Sequence, residues 1–154
     1  MKLVRAANNL FLFELGFREK ELLLQVLRLY PRIPPAAQKL SKRGQLPDQQ
    51  SSERLLQESL AEHRSENQRQ VQTLLTQPQR LVPSTTGWRL TLSAGDLEWV
   101  LQVLNDIRVG SWINLGSPDS AVPPLTEQNA PDLWAMELAG MFQMRFLEAV
   151  EGRK

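Results

Sequence analysis

Cysteine is absent from this chain of 154 residues, and histidine and tyrosine occur only once each. Without cysteine there is no disulfide framework, no thiolate nucleophile and no sulfur-ligated zinc or iron–sulfur site. The sequence also lacks the run of roughly 18 apolar residues that a membrane span needs, and it does not open on the apolar segment of a signal peptide. We therefore expect a cytoplasmic protein with no membrane contact.

Motifs that cradle phosphate are missing as well, since neither GxxxxGK nor GxGxxG occurs. The single histidine, His63, has no second histidine, nucleophile elbow or paired carboxylates near it in sequence. A role as general base is the alternative to a hydrogen-bonded histidine at the inner side of a helix, which is the simpler interpretation. One histidine with dispersed acids also lacks metal-ligand spacing. We predict a protein that is not an enzyme and holds no cofactor or metal.

Charge is spread unevenly although the net charge is only +1. Residues 1–43 carry nine Lys and Arg against three acids, and residues 44–154 carry nine against fourteen. Such polarity could orient a partner or an anionic ligand. A solvated surface with internal charge pairing is the plainer interpretation.

The length fits a single helical domain spanning residues 1–154. Two proline-rich stretches interrupt it: a basic connector at 31–50 and a loop at 116–130. We interpret the first as an extended or partly helical connector and the second as a loop that leads into the last helix.

An internal repeat is the most informative pattern. A shift of 77 positions lays Leu15 on Leu92 and the run 24–27 on the identical run 101–104. Each helix follows a short alternating segment, 10–15 in the first half and 88–92 in the second, which is typical of half-buried strands. The two segments are natural antiparallel partners.

The turns into these two helices also correspond. Gly16 precedes Glu19 by three positions, as Ser93 precedes Asp96, which places an N-cap residue before an acid in both halves. Strand, cap and helix occurring twice suggest a pseudo-two-fold repeat. Chance similarity between two leucine-rich amphipathic helices is the alternative.

Further helical periodicity covers residues 51–77 and 131–150. In the last segment the charged residues share one side, so we predict that this helix is central and the most buried. The fold class is therefore mainly helical, of the α+β type. It should contain four to five packed helices plus a short antiparallel strand pair.

On the helix predicted for residues 94–115, Arg108 falls in the middle of a stripe of leucines. A guanidinium on an apolar face needs an acceptor, because leaving it unpaired in a dry site costs several kcal/mol. It either pairs internally, with Asp132 or Glu137, or marks with Asn105 a pocket for a small anion.

The opposite side of the same helix carries a second apolar strip, which is our candidate partner interface. The strip comprises Trp99, Val103, Asp106 and Ile113. Aromatic anchors often dominate binding energy, but a tryptophan packed under the proline-rich loop is the alternative. The same two interpretations apply to Trp112 and Trp134.

A modest basic patch is a candidate for contact with nucleic acid. It comprises Arg28, Arg32, Lys39, Lys42 and Arg43. The patch is weaker than the basic signature expected of a dedicated DNA or RNA binder.

The helix motif from Leu97 to Arg108, followed by Leu115 and Gly116, resembles the signature of an uncharacterised bacterial family of small helical proteins. This family is the domain of unknown function numbered twenty-seventeen, whose hallmark is W-x-x-x-L-N-D-x-R leading to Leu-Gly. Residues 12–27 and 133–150 are similar to its other two blocks. The resemblance implies no known catalysis, and the cysteine redox regulation associated with some relatives cannot apply to a chain without cysteine.

Our leading hypothesis is therefore a non-enzymatic regulatory or interaction protein that binds another protein, or itself, through the Trp99 strip or the acidic C-terminal half. A transcription-associated regulator that binds nucleic acid through the basic patch is the first alternative. A binder of small anions that uses Arg108 is the second.

Overall fold

The computed structural model describes residues 1–34, 49–119 and 122–152. Lys39, Lys42 and Arg43, together with most of the connector at 31–50, lie outside them. Among the described residues are four helices and a four-stranded antiparallel sheet, so the fold is α+β. In chain order the elements are β1 (Lys2–Ala7), β2 (Leu10–Leu15), α1 (Phe17–Leu27), α2 (Gln49–Thr76), β3 (Leu81–Pro83), β4 (Trp88–Ser93), α3 (Ala94–Asn114) and α4 (Ala130–Glu151).

The sheet has the order β1-β2-β4-β3, with β2 and β4 at its centre. These two strands pair antiparallel, with Phe13 opposite Leu90, as their sequences led us to expect. The expectation of a single strand pair was wrong, because β1 and β3 each add a hairpin partner at the edge. Asn8 and Asn9 make the first hairpin turn with φ of 53° and 64°, the left-handed conformation that asparagine tolerates best after glycine.

The core lies between one face of this sheet and the helices. Phe11, Phe13 and Leu15 alternate along β2 toward the helices, and Leu90 and Leu92 do so along β4. The Phe13 ring meets the Phe146 ring of α4 edge to face, with centroids 5.2 Å apart and planes at 88°. This contact joins the centre of the sheet to the last helix.

Both strand-to-helix turns are capped as predicted. Ser93 Oγ accepts the Asp96 N–H at 3.0 Å, and the Asp96 carboxylate accepts the Ser93 N–H at 2.9 Å. At the first turn the Glu19 carboxylate accepts the Gly16 N–H at 3.1 Å. Burial alone raises the pKa of Glu19, but hydrogen bonds from the Met1 ammonium and Gly16, with the charge of Arg145, outweigh it and hold the pKa below its usual range.

The prediction that the last helix is the most buried was wrong. Eight residues of α3 are buried, compared with five of α4. The apolar residues of α4 exceed the face that its neighbours cover, so Met144 and Leu147 remain 59% and 47% exposed. Helix α3 instead packs on α1, α4 and β4.

Helix α2 contacts the core mainly through its C-terminal third. Asn67, Val71 and Leu74 are its buried residues, whereas Leu55 near the other end is 66% exposed. The rest of α2 is strongly polar. Among the described helices, none is long and apolar enough to span a bilayer.

Candidate functional site: the tryptophan-bearing end of the helix layer

The Asn-Asp-x-Arg motif of α3 anchors the segment that follows α1. One carboxylate oxygen of Asp106 accepts two backbone hydrogen bonds from that segment, from the Arg32 N–H at 2.6 Å and the Ile33 N–H at 3.2 Å. Both donors lack a helix or strand partner, so the carboxylate satisfies backbone groups that would otherwise be buried unpaired. The aspartate of the motif therefore has a structural role.

Gly110 lies one turn further along α3 and permits this close approach. A Cβ at this position would lie 2.6 Å from the Arg32 carbonyl oxygen and 2.6 Å from the Ile33 nitrogen. No side chain fits there without displacing backbone, which explains a buried glycine within a long helix.

The side chain of Arg32 is also engaged. Its guanidinium donates to Asp132 of α4 at 2.5 Å, and Asp132 accepts the Asn114 side-chain amide at 3.2 Å. The predicted nucleic-acid patch thus loses Arg32 to an internal ion pair, and of its described residues only Arg28 is exposed.

Tyr30, at the start of the same segment, accepts a hydrogen bond from the Asn67 amide of α2 at 3.4 Å. Burial raises the pKa of the Tyr30 hydroxyl, and the nearby Asp106 charge raises it further against the opposing effects of Asn67 and Arg64. Both effects favour the protonated form of the hydroxyl that accepts the Asn67 hydrogen bond.

The strip that we expected to bind a partner is largely covered by the protein itself. Trp99 is 8% exposed and Val103 is fully buried, and the Trp99 indole N–H donates to Asp96 at 3.1 Å. Asp106 and Ile113 are half-buried. Trp99 and Val103 belong to the buried core and offer almost no surface to a partner. Further along the same side of α3, the segment at 32–33 packs on Asp106 and Gly110.

Arg108 is exposed rather than set in an apolar face. It donates to Gln143 of α4 at 3.0 Å and to Asn105 at 2.9 Å. Neither Asp132 nor Glu137 is its partner in these contacts, so the predicted internal ion pair was wrong.

His63 is exposed as well, and its ring nitrogen lies 2.9 Å from the Gln102 amide oxygen of α3. The contact places His63 on the side of α2 that faces α3, as a hydrogen-bonded histidine, although its side chain is exposed rather than buried. His63, Asn105 and Arg108 all occupy open surface. Across residues 1–34, 49–119 and 122–152, no group of three acidic or histidine side chains could hold a metal ion.

Two tryptophans are exposed instead at the end of α3 and the start of α4. Trp112 is 39% exposed and Trp134 is 38% exposed. Each stands two residues from one partner of the hydrogen bond between Asn114 and Asp132, so both belong to the same end of the molecule. The sequence gives no signal that these two tryptophans are exposed while Trp99 is buried.

The loop between these helices adds exposed apolar side chains to that end. Val122 is 61% exposed and Leu125 is 74% exposed. Thr126 and Asn129 hydrogen bond to each other twice, and the Asn129 amide also donates to the Pro124 carbonyl at 2.8 Å. The loop near Leu125 is thus held by its own hydrogen bonds, and Trp112 donates its indole N–H to the Pro118 carbonyl at 3.1 Å.

This end of the molecule is also acidic. Residues 109–144 contain four acids and no lysine or arginine. Asp132 is paired with Arg32. The other three acids, Asp119, Glu127 and Glu137, are exposed. We call the exposed group formed by Trp112, Val122, Leu125 and Trp134, with these three acids, the tryptophan end.

Comparison with family models, with curated proteins and with solved structures gives no match for this chain. The resemblance of the α3 motif to the family of small helical bacterial proteins stays a prediction.

Proposed function

We propose that this is a non-enzymatic regulatory or interaction protein of the cytoplasm, and that it binds a protein partner through the tryptophan end. The observation that carries the proposal is that Trp112 and Trp134, both more than a third exposed, lie at the same end of the helix layer as a loop with two further exposed apolar side chains. Exposed apolar clusters of this kind are typical of protein interaction sites, where tryptophan is enriched among the residues that dominate affinity.

The geometry of the cluster favours binding over simple solvation. The hydrogen bond from Trp112 to Pro118 limits the motion of the ring, and the loop is fixed by Thr126 and Asn129. Side chains that are ordered before association lose less conformational entropy when a partner arrives. Exposed apolar side chains and exposed acids at one end of the molecule therefore suit a partner that combines apolar and basic side chains.

Selection from a displayed library of random peptides tests this proposal. We expect the enriched peptides to combine apolar residues with Lys or Arg, and to bind more weakly as the salt concentration rises. Replacing Trp134→Ala should weaken their binding at least tenfold. Met144→Ala is the matched control, because Met144 is exposed on the same helix but away from the tryptophan end.

Equal binding of the selected peptides to wild type, Trp134→Ala and Met144→Ala would refute the proposed site. Enrichment of acidic peptides would refute its charge preference.

We also propose that the two hairpin and helix units are a pseudo-two-fold repeat. Phe13 and Leu90 support it, because they are 77 positions apart and are also direct partners across the centre of the sheet. A two-fold axis through this pair would relate β2 to β4 and would carry the turn at Gly16 onto the turn at Ser93. The repeat predicts that a cap of one turn can be transplanted to the other.

A further inference from the structure

The outer face of the sheet, turned away from the helices, has its own chemistry. In one row across the strands Lys2 lies opposite Glu14, and Glu14 lies opposite Arg89. In the next row Arg5 lies opposite Leu12, and Leu12 lies opposite Thr91. Antiparallel sheets commonly leave such a face to water, but here the face is both basic and partly apolar.

Exposure confirms that this face is open. Lys2, Arg5 and Arg89 are exposed, while Leu10 is 48% exposed and Val82 is 37% exposed. A shallow hollow of about 270 Å³ on this face is lined by Arg5, Ala7, Asn8, Leu10, Leu12 and Thr91. The one acid in these rows, Glu14, already accepts a hydrogen bond from the Thr86 hydroxyl. We call this surface the basic sheet face.

The basic sheet face and the tryptophan end are complementary. The first carries three exposed cations and the second three exposed acids, and each surface also has exposed apolar side chains. Opposite charges at matched positions steer association and disfavour wrong partners.

Within one molecule the two surfaces cannot meet. The helices pack on the inner face of the sheet, and α3 runs about 30 Å from Ser93 at the sheet to Asn114 at the tryptophan end. The outer face points in the opposite direction from this layer. The basic sheet face can therefore contact a tryptophan end only in another molecule.

We propose that the basic sheet face of one copy docks onto the tryptophan end of a second copy, an inference that rests on the tryptophan end being a protein-binding surface. The contact joins two different surfaces, so it is head-to-tail. A head-to-tail contact leaves one free surface of each kind on every dimer, and association continues into short chains unless the rotation closes a ring. The protein itself is then the apolar, basic partner that the tryptophan end requires.

Mixing two blocked variants tests the arrangement by sedimentation velocity. Arg5→Glu with Arg89→Glu reverses charge on the sheet face, and Trp134→Ala removes an anchor from the tryptophan end. We expect wild type to grow in mass with concentration, and each variant alone to stay monomeric. The two variants together should form a dimer that grows no further, because each supplies the surface that the other lacks.

Arg54→Glu, an exposed charge reversal on α2, is the control and should associate like wild type. Far-ultraviolet circular dichroism and urea unfolding verify that every variant is folded. Raising the ionic strength from about 0.05 M to about 0.5 M should lower the association constant of wild type roughly tenfold.

A wild type that stays monomeric at millimolar concentration and low salt would overturn the inference. So would a mixture of the two variants that remains monomeric, or a self-dimer formed by either variant alone. If the chain stays monomeric while selected peptides bind the tryptophan end, the tryptophan end is a binding surface but its partner is not a second copy of this chain. If the peptides fail too, the proposed binding surface is wrong.

Discussion

Asp106 holds the backbone N–H of Arg32 at 2.6 Å, across 74 positions of sequence. Removing the acceptor would leave two part-buried N–H groups unpaired. Asp106→Ala should therefore lower the free energy of unfolding by about 1–3 kcal/mol. Urea denaturation measures this loss. Asp119→Ala, which truncates an exposed aspartate, should change stability far less, and equal effects of the two substitutions would contradict the anchoring role.

Gly110 and Gly95 provide a matched pair of glycines in α3. Gly110→Ala would place a methyl group 2.6 Å from the Arg32 carbonyl oxygen, and should destabilise the protein by about 1–3 kcal/mol. At Gly95 the nearest atom to an added Cβ is Ser93 Oγ at 3.8 Å, so Gly95→Ala should be neutral or stabilise by up to about 1 kcal/mol. Thermal unfolding of both variants measures the difference. If Gly110→Ala is as well tolerated as Gly95→Ala, the segment at 32–33 does not pack against α3 as described.

Alanine substitutions of Trp99 and Trp134 should separate an effect on folding stability from an effect on partner binding. Trp99 is 8% exposed in the core, so Trp99→Ala should cost about 3–5 kcal/mol of folding free energy. Trp134→Ala should cost clearly less than Trp99→Ala, since more than a third of the Trp134 side chain is exposed. Guanidinium unfolding gives both values. A large loss at Trp134 would show that its ring serves the core rather than a partner.

Low pH should lower the free energy of unfolding because the Asp96 carboxylate becomes protonated. Burial alone raises the pKa of Asp96, but hydrogen bonds from Ser93 and Trp99 and the charge of Arg80 at 3.2 Å outweigh it and lower the pKa. The folded pKa then lies below the unfolded one, so this stabilisation is complete above the ordinary aspartate pKa and disappears as pH falls through the folded value. Unfolding free energies between about pH 6 and pH 2 should therefore decline more steeply for wild type than for Asp96→Asn. The exposed control Asp119→Asn should follow the wild-type curve, and a curve for Asp96→Asn identical to wild type would exclude this source of acid sensitivity.

The proposed repeat predicts the effect of Gly16→Ser. Ser93, at the matching position, accepts the Asp96 N–H through its hydroxyl, whereas Gly16 offers no such acceptor. Its φ of −66° and ψ of 165° suit any residue. The added hydroxyl should stabilise the protein by a few tenths of a kcal/mol, measured by urea unfolding. Gly16→Ala, which lacks the hydroxyl, is the control, and greater stability of the alanine variant would argue against equivalent turns.

The parts of the fold that sequence predicted are those set by local pattern. Alternation identified β2 and β4, and the capping residues located the starts of α1 and α3. The edge strands escaped prediction because β1 has little alternation and β3 is only three residues long. The pair Asn8 and Asn9 was an available signal for the first hairpin, since both residues adopt positive φ readily.

The candidate site was harder to predict because helical periodicity shows which residues share a face but not which face is covered. The strip with Trp99 and the stripe with Arg108 were both apolar enough to be buried. Both contain buried residues, and part of the strip with Trp99 is covered at Asp106 by Arg32 and Ile33, which are far away in sequence. The exposure of Trp112 and Trp134 likewise depends on where α3 and α4 extend past their neighbours.

Fluorine NMR of protein labelled with 5-fluorotryptophan tests the binding surface most directly. The four tryptophans give separate reporters, assigned by single substitution, during titration with a selected basic and apolar peptide. Our account predicts that the Trp112 and Trp134 signals shift or broaden, while those of Trp99 and Trp88 stay in place. Movement of Trp99 alone, or no movement of Trp112 and Trp134 at saturating peptide, would contradict it.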